Sequence, residues 1–217
     1  MSDQSEGLRV PVRLCVAALL CVAVTLWKVS GPFEEVAQVT SAPGKDGCGA
    51  VPWLRLGVCR GIVLLSLTRD PGAAAAIVQT ISDAGKADAA KTSIRLDYFF
   101  IPAYVALLGF LGAIAARLAE LLGFTRLIPW LFLVVGLQLV AGVLDGIENV
   151  GLFAMLVGRD IPGLPGGVPA WTFWVATAKW YLVTLGFLVP VGSLAVMLLH
   201  DRRKRSGAIA QPAPAAA

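Results

Sequence analysis

Leu127 to Val157 is an apolar run long enough to cross a bilayer, and Asp145-Gly146-Ile147-Glu148-Asn149 stands in its middle. Crossing the hydrocarbon core takes about 20 residues of helix. Two carboxylates and an amide at that depth are costly. They need one another, a neighbouring helix, water or a ligand. The rest of the chain has to be arranged to meet that need.

Three further apolar runs accompany this one: Leu14–Val29, Asp97–Leu122 and Ala170–Leu199. Only 15% of the residues are charged and 57% are hydrophobic, whereas soluble domains carry about 25% charged residues. Lipid offers backbone groups no hydrogen bonds, so spans of this composition must be helical. The expected fold is all-α: a polytopic membrane four-helix bundle with a small, mostly helical extracytoplasmic cap between spans one and two.

In chain order, residues 1–13 read as a cytoplasmic amino terminus and 14–29 as the first span. This run is longer than the apolar part of a typical signal peptide, and no small-x-small cleavage site follows, so it reads as a signal anchor. Residues 30–96 form the extracytoplasmic segment. Gly31-Pro32, Pro43-Gly44 and Pro52 mark its first half as turns. Gly61–Thr68 is too short to span and reads as a strand or half-buried helix. Asp70-Pro71 reads as the start of an amphipathic helix near 71–84, with Gly85 as its stop. Residues 97–122 and 127–157 are the second and third spans, 158–169 a short extracytoplasmic loop, and 170–199 the fourth span. Residues 200–217 read as a cytoplasmic, basic, disordered tail.

Arg9, Arg13, Arg117, Arg126 and Arg202-Arg203-Lys204-Arg205 all fall on one side of a four-span arrangement. The positive-inside rule then places both termini in the cytoplasm, in a plasma membrane. The segment 30–96 is exported, which would put Cys48 and Cys59 in an oxidising compartment. They are read as a possible disulfide, with two free thiols as the alternative, because spacing does not establish disulfide geometry.

Helical rise of about 1.5 Å per residue gives depths. Glu148 and Asn149 fall roughly 12–14 Å below the outer face, Lys179 roughly 13 Å and Tyr104 roughly 10 Å. Asp145 is a turn deeper, and Asp97 lies at the outer edge. Asp145, Asn149 and Leu152 share a helix face with Gln138 and Gly142, with Glu148 beside them. Gly142 and Gly146 form a small-xxx-small pair suited to close helix packing. The expected intramembrane polar cluster is therefore Asp97, Tyr104, Asp145, Glu148, Asn149 and Lys179. Lys179 would pair with Glu148 or Asp145, and Tyr104 with a carboxylate or Asn149.

Such a layer can simply hold helices in register. Its charge balance argues for more. One lysine faces Asp145 and Glu148, with Asp97 as a third carboxylate, so at least one carboxylate needs a proton, a cation or a ligand. Other chemistries find little support. One His and four Cys are too few for haem, zinc or di-iron sites. No Gly-x-Ser-x-Gly, His-Glu-x-x-His or phosphate-binding glycine loop occurs. A divalent ion held by Asp145, Glu148, Asn149 and Asp97 would suit a lipid phosphotransferase, but the repeated Asp-x-x-x-Asp spacing of such enzymes is missing. No aromatic-basic interleaving marks a nucleic-acid partner.

Leu96-Asp97-Tyr98-Phe99-Phe100-Ile101-Pro102-Ala103-Tyr104, Ala141 to Asn149, and Lys179-Trp180 together resemble a family of small four-helix bacterial integral membrane proteins of no established function. The resemblance covers roughly residues 60–195. It implies the fold and membrane placement, with an exported helical segment before the second span, and it carries no activity. The expected function is binding of a lipid, a proton or cation, or a membrane protein partner at the polar cluster, with no cofactor and no metal. The alternatives are a membrane-embedded lipid-modifying enzyme, and a structural or assembly subunit of a membrane complex.

Overall fold

The structure, a computed structural model, describes residues 2–40, 61–159, 161, 163–164 and 167–209. Six α-helices make up the fold: α1 Ser2–Thr40, α2 Gly61–Ser66, α3 Pro71–Asp83, α4 Ala87–Leu121, α5 Ile128–Leu156 and α6 Gly167–Ile209. A short 3₁₀ turn, Thr125–Leu127, leads into α5. No strand occurs among the described residues, so Gly61–Thr68 resolves to a helix.

Three helical stretches are long and apolar enough to cross a membrane: Ala87–Leu121, Thr125–Leu156 and Gly167–His200. They mark the chain as a membrane protein. The bent pair Val16–Thr25 and Ser30–Thr40 within α1 counts as a fourth if its two limbs form one span. Large apolar side chains such as Trp130, Phe132, Leu139, Phe187 and Leu198 are exposed along these helices. That outward apolar surface suits lipid as its solvent.

Gly31-Pro32 does not end the first helix, contrary to the turn expected there. The two limbs of α1 meet at 49° instead. Pro32 then falls in the first turn of the second limb, where a missing N–H costs little. The bend also relieves the clash a proline ring makes with the carbonyl four residues earlier, here that of Lys28. Pro102 and Pro190 lie inside α4 and α6, which continue through them.

α4 is the central helix. It packs against α1, α5 and α6, and α5 packs against α6. Glycines let these helices approach. A Cβ at Gly142 would come within 2.8 Å of Val105 Cγ2, so α4 lies close to α5 there. Gly146, one turn on, faces open space. The pair is therefore not a two-glycine contact: no atom lies where a Gly146 Cβ would point, although the Gly146 carbonyl accepts from the Tyr98 hydroxyl of α4 at 3.5 Å. The tighter notches are Gly186, whose missing Cβ leaves room for the Gln138 side chain, and Gly151, which does the same for Thr172. Both join α5 to α6.

Three apolar clusters are stacked along the bundle. At one end Val36, Ile62, Leu65, Ala74, Ile81, Ala90, Ile94 and Leu152 tie α1, α2 and α3 to the start of α4 and the end of α5. Val22, Tyr104 and Leu108 form a middle cluster. Ala115, Ala116, Ala119, Leu131 and Met197 close the other end. At the first end, α3 opens with the expected cap: Asp70 accepts a hydrogen bond from the Ala73 N–H at 2.7 Å, and Pro71 takes the first helical position. Gly85 follows with φ +68°, a value that favours glycine. Lys86 then donates to Glu35 at 3.0 Å, joining the start of α4 to α1.

Candidate functional site

Three helices bring six polar residues together. On α5, Asp145, Glu148 and Asn149 are spaced i, i+3 and i+4, so they share one face. α6 supplies Lys179 and α4 supplies Asp97 and Tyr104. Asp145, Glu148, Asn149, Tyr104 and Lys179 are all buried, between 3% and 8% exposed, while Asp97 is half-buried at the edge of the group.

Lys179 is the hub. Its Nζ donates to Asp145 Oδ1 at 2.8 Å and lies 2.5 Å from Glu148 Oε2. It therefore engages both α5 carboxylates, where either one alone was expected. It also stands 5.0 Å from the centre of the Trp180 ring. On the other side of α5, Asn149 Nδ2 donates to Asp97 Oδ2 at 2.8 Å, linking α5 to α4. About two turns deeper than Asp145, Gln138 Nε2 donates to the Leu182 carbonyl at 3.0 Å. The layer thus clips α5 to both neighbours.

Tyr104 lies beside a carboxylate, as expected, but is held loosely there. Its hydroxyl is buried against the Asp145 carboxylate, within its reach but without a close hydrogen bond to any described residue. Asn149, the other partner expected for it, is occupied by Asp97. Trp180 Nε1 is likewise buried without a partner. Leaving such a group unsatisfied costs about 1–3 kcal/mol.

Both residues line a cavity of about 640 Å³. Asp97, Asp145, Glu148, Asn149 and Lys179 face the same cavity. The rest of its wall is apolar. Phe33 of α1, Ile62 and Val63 of α2, Phe100 and Leu107 of α4, Leu152 of α5, and Val183 and Phe187 of α6 contribute. Its lining spans α1 and α6, helices that pack on α4 without substantial contact with each other. The chamber is therefore apolar along most of its surface and strongly polar on one wall.

No three His, Cys, Asp or Glu side chains converge as metal ligands among the described residues. The ammonium of Lys179 stands where a cation bridging Asp145 and Glu148 would have to sit. The divalent-ion arrangement considered for these carboxylates does not fit this geometry. Cys48 and Cys59 lie outside the described residues.

Sequence reasoning found all six polar residues but missed the chamber. Trp180 entered it only as a neighbour of Lys179, and its buried indole N–H leaves no trace in helix periodicity. The fit of Gln138 against Gly186 likewise requires the α5–α6 register, which sequence does not give.

No family model, curated protein or solved structure matches the chain. The site itself is the ground for a functional reading.

Proposed function

We propose that this chain is a four-span integral membrane protein that binds an amphiphilic, lipid-like molecule in the chamber. The head of the molecule rests on the polar cluster and its chain lies along the apolar walls. The observation that carries this reading is the composition of a single cavity: about 640 Å³, apolar on most of its wall, with the buried charged layer on the remainder. Ligand sites typically combine apolar walls with a few convergent polar groups. In this reading the bent α1 is the first span, both termini are cytoplasmic, and the membrane is a bacterial inner membrane. α2 and α3 form an extracytoplasmic cap over the end of the bundle where α4 begins.

A structural role is the second reading, favoured by the two contacts of Lys179 and the Asp97–Asn149 bond, which hold three helices in register. A lipid-modifying enzyme fits less well, because Lys179 already engages both carboxylates that would serve as base or metal ligand.

Native mass spectrometry of the protein released from a mild, sugar-headed detergent tests the reading. A bound lipid mass is expected on the wild-type chain. It should be lost from Val183→Trp, which fills the chamber wall away from the charges. A chain that flies without any bound amphiphile, and takes none up on titration, would leave only the structural role.

A further inference from the structure

We infer that the chamber selects a cationic head: an ammonium group carried on a long apolar chain. This rests on the amphiphile reading above and specifies its chemistry. Three carboxylates line one wall, those of Asp97, Asp145 and Glu148, and one ammonium answers them. Lys179 is held by two of them at 2.8 and 2.5 Å, so it is not available to an incoming anion. A phosphate or carboxylate head would meet unbalanced negative charge with no free cation among the described residues of the wall to receive it. An ammonium head meets the opposite: Asp97, whose carboxylate accepts from the neutral amide of Asn149.

Two further features suit a cation. Tyr104 is only 7% exposed, lines the chamber beside Asp145, and holds a hydroxyl with no close hydrogen bond among the described residues. Its oxygen lone pairs present partial negative charge to a cationic head. Aromatic rings also border the space, those of Phe33, Phe100 and Phe187 among them. The negative faces of such rings attract ammonium groups most strongly where water is excluded. Carboxylate and aromatic walls together are the usual chemistry for ammonium recognition. The apolar remainder of the chamber accounts for the chain.

The test uses the full-length protein in a neutral, sugar-headed detergent. Hexadecyltrimethylammonium, hexadecanol and hexadecyl sulfate, which share a chain and differ in the head, are titrated below their micellar concentrations and read by native mass spectrometry and thermal shift. The ammonium is expected to bind about tenfold more tightly than the alcohol, the sulfate more weakly than either, and Asp97→Asn should bring ammonium and alcohol close to parity. Alcohol or sulfate binding as tightly as the ammonium overturns the inference while leaving the amphiphile reading in place. Failure of all three to bind overturns both. Tetramethylammonium separates head from chain: binding as tight as that of the long-chain cation supports the ammonium head and removes the lipid-like chain. Should Asp97→Asn not accumulate, Glu148→Gln replaces it, and the head series on the wild-type protein decides the matter alone.

Discussion

Lys179 Nζ lies 2.8 Å from Asp145 Oδ1, and this contact joins α6 to α5 in the buried interior of the bundle. The side chains are 10% and 5% exposed. At that burial, breaking a pair costs far more than the pair contributes, because a lone charge is left behind.

Lys179→Met should therefore destabilise the protein by about 3–5 kcal/mol, since it strips the only ammonium from Asp145 and Glu148. Adding Asp145→Asn should recover part of the loss, so the double variant will be less damaged than the two single effects summed. Thermal unfolding of the four chains of this cycle in one detergent checks it. Strict additivity would show that the pair does not act as a unit.

Tyr104→Phe should leave the ligand-free protein as stable as wild type or raise its stability by up to about 1 kcal/mol, because it deletes a buried hydroxyl that has no close hydrogen bond among the described residues. The same substitution should weaken binding of a long-chain ammonium. Measuring stability and affinity on one preparation separates the two effects. A loss of stability without a loss of affinity would assign the hydroxyl to packing.

Gly186→Ala and Gly146→Ala should move stability in opposite directions. A methyl at Gly186 collides with the Gln138 side chain, and overpacking of this kind costs about 1–3 kcal/mol. A methyl at Gly146 meets nothing within 4 Å, and replacing a helical glycine by alanine at a compatible position gains about 0.4–1 kcal/mol. Parallel melting curves of the two variants provide the comparison. Gln138→Ala in the Gly186→Ala background should relieve part of the collision.

Asp70→Ala should remove the cap of α3 at a cost of about 1 kcal/mol. Its effect should stay local. Hydrogen exchange will rise at Ala73 and its neighbours in the first turn of α3, with no change in the spans. Faster exchange within α4 or α5 would show that α3 folds as one unit with the bundle.

The legible parts of this molecule were those with a strong local cause. Asp70-Pro71 and Gly85 bounded α3 because capping, proline placement and a positive φ act within a few residues. The cluster on α5 was legible because charges in an apolar run have few places to go. Gly146 shows where such reasoning stops. Its spacing from Gly142 fits a packing motif, yet only the rotation of α5 against α4 decides which glycine meets a neighbour. The limb Ser30–Thr40 was obscured for another reason. Gly31-Pro32 reads as a helix stop in sequence, and only a bend at the residues before it makes the proline acceptable. The chamber was beyond sequence altogether, because it depends on how α1 and α6 are held apart on α4.

The ionic link between α5 and α6 also bears on how this protein enters its membrane. Taken alone, the apolar part of α5 carries two carboxylates and that of α6 one ammonium, and each such charge at a helix centre disfavours insertion by about 2.5–3.5 kcal/mol. Paired, most of that burden cancels. The two helices are joined by a short connection, from Val157 to Gly167, so the neutralising lysine follows soon after its partners during synthesis. α5 is thus best delivered to the bilayer as half of a hairpin with α6. A ribosome halted between the two would leave α5 poorly retained in lipid, whatever its apolar length.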